Sequence, residues 1–576
     1  MTMKLTAYAD KFSVHPGDPI SFYVNANGPD KYQAQIVKMI HGDTNPRGPG
    51  LIEEPLDADC NGEYPGRRQV IYSGSYGFVE DKPQLRPDSI TLQCWIWSTT
   101  PKTHPKYWKH GAQGLVTKWS DGKGYGLFIN EEGCLEFRVN GTRLTNNVPI
   151  RDHAWQFVAA TFDAKTGEAT LYHEPQVVYA LDPKIEPVSI KIDGGIDHTA
   201  LPLVVGASTK SADSSAIAKA SVPPNVVMDC HYNGKIDSPR ICSRALTRLD
   251  IETMKSGSNI AMEERRGPGP TGALAPCVVA SWNFGEGIDT LIGKDKGPYR
   301  LDLTLVNCPT RAMTGYNWQG QSVDWKHAPE QYGAIHFHDD DLDDARWDMD
   351  FNWSIPEGFK SGSYAVKLTT KAGDEDYVPF FVVPRPGEFT AKIAVMMPTI
   401  SYMAYANEHV ANNAGGAELL VYRVPVMQDQ NMHLAEHREY GGSCYDTHTD
   451  GSGIAMSTRL RPILSFRPKY DHFLAQAPWQ YPADLHLICW LEQMGYDYDV
   501  ITDEDVSYEG LSRLEGYNVV ITGSHPEHNT GTQLDALHAY TQQGGRLMYM
   551  GADGWYWVHA YHPSYEERGR GVLTEM

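Results

Sequence analysis

The chain has 576 residues, too many for one hydrophobic core, so its length predicts several domains. Its formal net charge of −22 argues against a nucleic-acid or anionic-membrane surface and favours a protein that handles a neutral or cationic small molecule. The first residues contain no apolar core of a signal peptide, and no run approaches membrane-spanning length, so we expect a cytoplasmic protein.

Residues 1–60 contain short alternating segments between turns, such as Ile20–Val24 and Gln35–Met39. This pattern predicts the first part of an antiparallel β-sandwich, with too few strands to close one. Residues 311–388 return to strands punctuated by proline and glycine. We expect them to supply the rest of the sandwich, with residues 61–310 inserted between its two parts.

Residues 61–310 are predicted to be all-β, because short apolar or alternating segments recur there between turns, as in a two-sheet jelly roll. The segment WQFVAATFDAKTGEATLY, followed by PLVVGAS at 202–208 and NGKIDSPRICSRALT at 233–247, resembles laminin-G and concanavalin-type lectin-like domains. The resemblance implies a jelly-roll fold. We favour a structural insert over a sugar-binding module, since one fold serves many functions.

A segment rich in histidine and aspartate, HFHDDDLDD, occupies residues 336–344. Its side chains look at first like ligands for a hard metal ion. The spacing matches no EF-hand loop, however, because that loop requires glycine at its sixth position. We therefore interpret the segment as a solvated acidic turn.

From residue 389 the pattern indicates an open parallel α/β sheet, and residues 389–576 are the predicted catalytic domain. The predicted buried strands are Ala391–Met397, Tyr496–Ile501, Asn518–Thr522 and Arg546–Met550, and the predicted helices are Asp484–Met494 and Thr532–Gln543. This order is typical of flavodoxin-like or class I amidotransferase-like folds. The whole chain is thus predicted to be multidomain, α/β plus all-β.

Loops at the carboxyl ends of parallel strands usually form the ligand crevice. Here they carry His525, Glu527, His528 and Asp553, and the first strand leads toward Tyr405. Another polar segment, YGGSCYDTHTDGSG at 440–453, is free to fold over the same edge. The turns contain no cysteine nucleophile and no GxSxG elbow, so a metal site remains as one hypothesis and an ordered turn with core-packed tyrosines as the other.

Several motifs together resemble one family. They are FSVHPGDPISFYV near the start, PTISYMAYAN at 398–407, YGGSCYDTHTDGSG at 440–453, RLRPILSFRPKY at 459–470, TGSHPEH at 522–528 and GADGWYW at 551–557. In this order they resemble the large-subunit family of N,N-dimethylformamidases, over nearly the whole chain. The resemblance implies hydrolysis of the C–N bond of N-substituted formamides at a mononuclear Fe(III) held by two tyrosine phenolates and one glutamate.

Transferred to this sequence, the resemblance makes Glu527 the glutamate ligand and Tyr405 the first tyrosine. Tyr445 is the expected second tyrosine, with Tyr440 as the alternative. Phenolate and carboxylate oxygens suit a small, highly charged ion, which can act as a Lewis acid on the formyl carbonyl and activate water. His525 is the expected carrier of the proton that dimethylamine needs on leaving, and an orienting role on Glu527 is the alternative.

Two departures qualify this expectation. The family usually has asparagine where Asp553 stands, and an ionised aspartate cannot donate a hydrogen bond to substrate and adds negative charge near the metal. We therefore expect Asp553 to lower activity or change the substrate. The chain also ends soon after the last motif, whereas the family's large subunit continues, so the α/β domain is expected to be truncated at its carboxyl end.

The resemblance further implies a small alpha subunit as partner and an oligomer of heterodimers. A second hypothesis is a glycan-binding multidomain protein whose α/β domain is a non-catalytic scaffold. A third, a glycoside hydrolase, would use paired acids such as Asp503 and Asp505. We interpret these two instead as caps of a helix beginning near Tyr508, since aspartate favours helix N-termini.

Overall fold

The computed structural model describes residues 3–102, 111–176, 184–212, 220–255, 274–409, 416, 418, 419, 422 and 424–576. The chain divides into two compact units. The first comprises Met1–Tyr72, Leu342–Thr447 and Ser452–Met576, and the second comprises Ser73–Asp341 and His448–Gly451. The four-part domain division drawn from the sequence stays a prediction.

The first unit contains a β-sandwich made from both ends of the interrupted region. One sheet has three antiparallel strands, Leu5–Ala9, Pro19–Ala26 and Phe351–Ser354. The other sheet contains the strands Ser13–Val14, Glu375–Val382, Gly362–Thr369, Lys31–His41, Ile52–Pro55 and Gly62–Pro65. Alternating side chains such as Ile20, Phe22 and Ile36 fill the space between the sheets.

A four-stranded parallel sheet follows in the same unit. Its strands are Asp499–Thr502, Ile393–Met397, Val519–Thr522 and Arg546–Met548, in that spatial order. Side chains of the Ile393–Met397 strand alternate between two apolar clusters, so the strand is buried on both faces. The predicted parallel sheet is therefore present, and its likeness to amidotransferases stays a prediction.

Helices cover both faces of this sheet. The first unit includes the α-helices Thr399–Ala404, Asp429–Glu436, Tyr481–Met494, Asp503–Glu509 and Gly531–Gln542. Helix Tyr481–Met494 begins three residues before the predicted start, and Gly495, at φ +71°, ends it. The first unit also contains the 3₁₀ helices Arg438–Tyr440, Gly510–Arg513 and Pro563–Arg568. Its short strands include Met456–Thr458, Asp471–His472, Ala477–Pro478, His528–Asn529, Trp557–Val558, Ala560–Tyr561 and Leu573–Glu575.

The second unit is a mostly antiparallel β structure, which confirms the predicted jelly roll in its general form. Its paired strands are Tyr76–Val79, Ile90–Ser98, Gln113–Ser120, Lys123–Ile129, Cys134–Val139, Thr142–Pro149, Trp155–Asp163, Glu168–Pro175, Val188–Lys191, Leu203–Val205, Gly234–Cys242, Val278–Asn283, Ile292–Asp295, Leu303–Val306, Thr310–Met313 and Ala334–Phe337. A separate hairpin joins Ser208–Ala212 to Val226–Asp229. The second unit also includes the helix Arg248–Lys255 and the 3₁₀ helices Pro83–Leu85, Ala275–Cys277, Trp325–His327 and Pro329–Gln331.

Two expectations from the sequence are wrong. The segment 336–344 is not a solvated acidic turn, because His336, His338, Asp341 and Asp343 are all buried. The helix near Tyr508 begins at Asp503 and ends at Glu509. Thr502 is its N-cap and exchanges hydrogen bonds with Asp505 in a capping box, so the aspartates serve the start of this helix. Within the described residues, no helix has the length and apolarity needed to cross a membrane.

Candidate metal centre at the edge of the parallel sheet

The backbone brings Tyr405 and Glu527 to the same edge of the parallel sheet. Tyr405 directly follows the short helix Thr399–Ala404, which begins two residues after the strand Ile393–Met397. Glu527 lies in the loop after the neighbouring strand Val519–Thr522. Because both loops leave the carboxyl ends of adjacent parallel strands, their side chains meet across one crevice.

Glu527 is the centre of the arrangement. The Tyr405 hydroxyl donates to Glu527 Oε2 at 2.5 Å, and the Tyr556 hydroxyl donates to Glu527 Oε1 at 2.7 Å. The ring of Tyr445 stacks on that of Tyr405, with centroids 4.1 Å apart and planes 12° apart. The structure therefore brings together three of the predicted residues, Tyr405, Tyr445 and Glu527.

The electrostatics of the three groups depend on one another. Burial, reinforced by hydrogen bonds with Glu527 and Tyr445, raises the pKa of Tyr405 well above its ordinary value. Burial also raises the pKa of Tyr445. Burial alone would raise the pKa of Glu527, but hydrogen bonds from the neighbouring tyrosine hydroxyls hold it below its ordinary value. A phenolate at either tyrosine therefore needs a positive charge beside it.

This donor set fits a hard cation of high charge. Two phenol oxygens and a carboxylate offer anionic oxygen ligands, the type that suits iron(III) better than a soft metal. The Tyr405 hydroxyl oxygen and Glu527 Oε2 are 2.5 Å apart, so both could bind one cation. Tyr405, Tyr445 and Glu527 are thus the residues that could hold such an ion.

His525 lies beside the carboxylate. Its Nε2 is 3.1 Å from Glu527 Oε2 and 3.5 Å from the Tyr405 hydroxyl. The ring of Trp479 approaches both Tyr405 and His525, with centroid distances of 4.6 Å and 5.3 Å. His525 can therefore exchange a proton with a group held at the crevice, and it can also orient Glu527.

A chain of imidazoles supports Tyr445 from the other side. His528 Nε2 is 2.9 Å from the Tyr445 hydroxyl, and its Nδ1 is 2.7 Å from His559 Nε2. His559 Nδ1 in turn is 2.8 Å from the Thr574 hydroxyl. Burial lowers the pKa of His528 to about 4 and that of His559 to about 3, so both rings are neutral near pH 7. Neutral rings can each donate one hydrogen bond, which allows the chain to donate toward a Tyr445 phenolate.

The loop that carries Tyr445 is fixed by Asp446. Its Oδ2 accepts from the backbone N–H of Ser443 at 2.8 Å and from the Ser443 hydroxyl at 2.9 Å. Both carboxylate oxygens also lie 3.1 Å from the backbone N of His409. Burial would raise the pKa of Asp446, but the His409 imidazole, whose Nδ1 is 3.4 Å from Oδ2, and the two Ser443 donors hold it below its ordinary value. The turn is thereby closed on both sides of Tyr445.

Asn407 links the Tyr405 segment to the same loop. Its backbone is left-handed, with φ +60°, a conformation that asparagine tolerates better than most residues. Its buried side chain donates to the carbonyls of Tyr440 at 3.1 Å and Pro462 at 2.8 Å, and accepts from the backbone N–H of Leu464 at 2.7 Å. Three segments distant in sequence are thus tied together next to the site.

The Glu527 loop is positioned at its base by Gly523 and Asp484. A Cβ at Gly523 would lie 2.6 Å from Pro398 Cδ, so only glycine fits this close approach. Asp484 accepts from the backbone N–H of Ser524 at 2.5 Å and from the Tyr402 hydroxyl. Burial raises the pKa of Asp484 to about 6.

Tyr440 and Asp553 lie elsewhere. The buried hydroxyl of Tyr440 is 2.9 Å from the Thr6 hydroxyl, against the N-terminal sandwich rather than beside Tyr405. Asp553 is exposed at φ +48°, and its charge acts on Tyr556. The hydrogen bond to Glu527, with burial and the charge of Asp553, raises the pKa of Tyr556 to about 12.

Sequence reasoning missed the roles of Tyr556, His528, His559 and Asn407. Tyr556, His528 and Asn407 all lie inside motifs that were recognised, GADGWYW, HPEH and AYAN, so their presence was visible but their contacts were not. His559 lies outside these motifs, and nothing in the sequence around it indicated a role at the site. It reaches His528 through the parallel pairing of His528–Asn529 with Trp557–Val558, which involves two residues in each strand.

Comparisons with known proteins place these features in a family. Residues 310–574 match the family described as N,N-dimethylformamidase beta subunit-like, C-terminal. Residues 73–178 match the concanavalin A-like lectin/glucanases superfamily, which confirms the lectin-like character of the second unit. The LG1-3 region of the laminin alpha2 chain aligns with 41% of this chain and 50% of its own length, at 14% identity and with a TM-score of 0.22.

Two curated relatives match almost the whole chain. The N,N-dimethylformamidase beta subunit of Paracoccus aminophilus is 38% identical over 585 residues, covering 98% of this chain and 73% of its own. The protein of the same name from Alcaligenes sp is 36% identical over 584 residues, covering 97% of this chain and 72% of its own. With this identity and coverage, the chain belongs to the N,N-dimethylformamidase beta subunit family.

Proposed function

We propose that this chain is the metal-binding subunit of an amide hydrolase that cleaves the C–N bond of N-substituted formamides, converting N,N-dimethylformamide to dimethylamine and formate. The observation that carries the proposal is the convergence of Tyr405, Tyr445 and Glu527 at one edge of the parallel sheet. The names of the two relatives support the reaction and the substrate class.

The cofactor in this proposal is a mononuclear Fe(III) held by Tyr405, Tyr445 and Glu527. When bound, such an ion supplies Lewis acidity toward an amide carbonyl and toward water. Two phenolates and one carboxylate carry three negative charges. These charges balance a trivalent cation and offset the free-energy cost of burying it. The histidine chain through His528 donates toward the Tyr445 oxygen and stabilises it as a phenolate.

His525 is the proposed proton carrier. Its Nε2 lies within hydrogen-bond reach of Glu527 and at the limit of reach of Tyr405, so it faces the region where an amide would be held. Cleavage of the C–N bond needs a proton on the departing dimethylamine nitrogen, and an imidazole is suited to deliver it near neutral pH. Loss of His525 is expected to lower turnover more than substrate binding.

Aromatic side chains offer a place for the N-methyl groups. A narrow cavity beside the site is lined by Tyr405, Phe466, Tyr470 and Trp479 among others. Apolar walls next to the oxygen-rich centre suit a small amide that is apolar at its nitrogen end and polar at its carbonyl. This arrangement supports a small N-alkyl formamide as substrate.

The name beta subunit, carried by both relatives, supports a second subunit. We propose the small alpha subunit as that partner and an oligomer of heterodimers as the assembly. Co-expression of the two chains followed by mass measurement of the purified complex tests this assembly.

A matched pair of tyrosine variants tests the site. Protein made with iron supplied should absorb in the visible range through phenolate-to-iron(III) charge transfer and should release dimethylamine from N,N-dimethylformamide. Tyr445→Phe should lose or strongly shift the band and lose activity. Tyr440→Phe removes the same hydroxyl from a tyrosine outside the cluster and should keep both.

The contrary results are equally clear. A wild-type chain that retains no iron, or a Tyr445→Phe variant with an unchanged band, would exclude the proposed ligand set. Loss of the band in Tyr440→Phe, with Tyr445→Phe unaffected, would assign the second phenolate to Tyr440.

A further inference from the structure

The second unit contains a buried cluster of histidines and aspartates that the proposed reaction does not use. His336 lies on the strand Ala334–Phe337, His338 follows one residue after that strand, and Asp450 comes from the segment His448–Gly451. The side chains of His336, His338 and Asp450 are 6%, 2% and 0% exposed. Their candidate ligand atoms all lie within 4.8 Å of one another.

The distances suit a single small ion. His336 Nε2 is 3.1 Å from Asp450 Oδ2, and His338 Nε2 is 3.9 Å from the same oxygen. Ligand atoms about 2 Å from a tetrahedral zinc ion are about 3.3 Å apart, between these two values. The rings of His336 and His338 are tilted by 35°, which lets their in-plane lone pairs converge.

The groups behind His338 follow the pattern of a metal-bound histidine. Its other nitrogen, Nδ1, is 3.1 Å from Asp341 Oδ2, and that oxygen also accepts from the Ser75 hydroxyl at 2.6 Å. A carboxylate on the far nitrogen favours the tautomer that is protonated at Nδ1 and has its lone pair on Nε2, the nitrogen that faces Asp450. The same bond orients the ring toward Asp450.

His448 is close but is not a ligand in this arrangement. Its ring lies parallel to that of His338, with centroids 3.7 Å apart and planes 8° apart. Stacked rings direct their lone pairs along parallel lines, so they cannot both bind one ion in the plane of each ring. His448 Nδ1 is instead 2.6 Å from Asp340 Oδ1, so this pair lies next to the proposed ligands.

We propose that His336, His338 and Asp450 bind a divalent transition metal ion of the zinc class, with water in a fourth position. Two imidazoles and one carboxylate are borderline donors, which favour Zn²⁺ or a similar ion over Ca²⁺ or Mg²⁺. The site is separate from the proposed iron site in donor type and in the unit that contains it.

The ion would join two distant parts of the chain within the second unit. Asp450 is more than a hundred residues after His336, and the segment that carries it is four residues long, His448–Gly451. A metal bond closing so long a loop stabilises the folded state strongly compared with the unfolded chain. We therefore infer a structural role for this ion.

Cobalt titration of the full chain tests the proposal, with Co²⁺ as the probe because its visible spectrum reports tetrahedral nitrogen and oxygen ligands. After removal of bound metal, the Glu527→Gln chain, which lacks the proposed iron site, should bind one equivalent with a tetrahedral spectrum. Asp450→Asn and His336→Gln, each in that background, should lose this equivalent. His173→Gln, which alters a buried histidine of the same unit outside the cluster, should retain it.

X-ray absorption of the Co²⁺-loaded Glu527→Gln chain gives a readout that does not depend on the folding of the cluster variants. Imidazole scattering from two ligands supports the site. Absence of one tight equivalent, a spectrum of hexa-aqua cobalt, or retention of the equivalent in well-folded Asp450→Asn overturns it. Failure of the iron proposal would show instead as a missing charge-transfer band in the wild type, whatever the cobalt result.

Discussion

The two candidate metal sites of this chain are built on different principles. At the edge of the parallel sheet, Tyr405, Tyr445 and Glu527 offer oxygen only, from three loops far apart in sequence. In the second unit, His336 and His338 are two residues apart at the end of one strand and are completed by Asp450. The first set suits a hard trivalent ion, and the second suits a borderline divalent one.

The two candidate sites also differ in their surroundings. The oxygen site lies beside a small cavity that is lined largely by aromatic side chains. The side chains of the His336 and His338 cluster are almost wholly excluded from bulk solvent, and Asp450 joins them from a segment more than a hundred residues away. A catalytic role therefore fits the first site and a structural role fits the second.

The largest expected effect comes from Glu527→Gln. The amide keeps the size of the side chain but removes the negative charge of the carboxylate that accepts hydrogen bonds from Tyr405 and Tyr556. An amide is also a poor ligand for a hard ion. Dimethylamine release should fall roughly a thousandfold or more. Steady-state assays with iron analysis check this, and an active, iron-loaded Glu527→Gln protein would break the assignment of the oxygen site.

His559→Phe should weaken the same site without touching a proposed ligand. It removes the nitrogens that join His528 to Thr574 but keeps a planar ring. Iron affinity should fall about tenfold to a hundredfold, as for other groups that orient a metal ligand. Competition with a chelator measures the affinity, and His538→Phe, at an exposed histidine, is the control. Equal affinity in both variants would deny the chain a role.

A buried histidine outside both sites, His173, should make the free energy of unfolding depend on pH. Burial lowers the pKa of His173 to about 4, below its unfolded value near 6.5. The unfolded chain then binds a proton that the folded chain does not, so His173 lowers stability as pH falls from 6.5 toward 4, by about 1 kcal/mol per pH unit.

His173→Gln should therefore flatten the loss of unfolding free energy across this interval. Denaturant unfolding of both proteins at several pH values measures the change. A parallel pH dependence in the two proteins would show that the acid sensitivity arises elsewhere.

The smallest expected effect is a gain from Asp553→Asn. The exposed turn at φ +48° accepts asparagine as readily as aspartate. Removing the charge that acts on Tyr556 makes the surroundings of Glu527 less negative, and an amide can donate to a substrate oxygen. Because an exposed charge contributes little, turnover should rise only about twofold to fivefold, by comparison of kcat. A fall in kcat would show that the carboxylate itself is needed.

The parallel sheet was predictable because its strands are short, apolar and bounded by turns. The helix Tyr481–Met494 was predicted to begin three residues too late. Proline usually interrupts a helix, but Pro482 lies in the first turn, where proline fits without the loss of a hydrogen bond. The positions of Tyr405 and Glu527 followed from the ends of two strands. Nothing local distinguishes Tyr440 from Tyr445, because their surroundings are set by Thr6 and Tyr405, far away in sequence.

The acidic segment at 336–344 shows the same limit more sharply. Its composition indicates solvent exposure, yet Asp341 and Asp343 are buried. Their partners include Ser75 for Asp341 and Tyr565 for Asp343, at 2.6 Å in each case. Side chains more than two hundred residues away thus compensate the cost of burial, and no pattern within the segment could reveal them.

All six residues of the helix Thr399–Ala404 are buried, and Tyr405 follows directly after it. The backbone that holds this tyrosine can move only if the surrounding core loosens. A cation bound there should consequently leave slowly, on the timescale of rare opening events rather than of loop motion. Iron depletion by chelators should then be limited by protein breathing, and its rate should not rise with chelator concentration once the chelator is in excess.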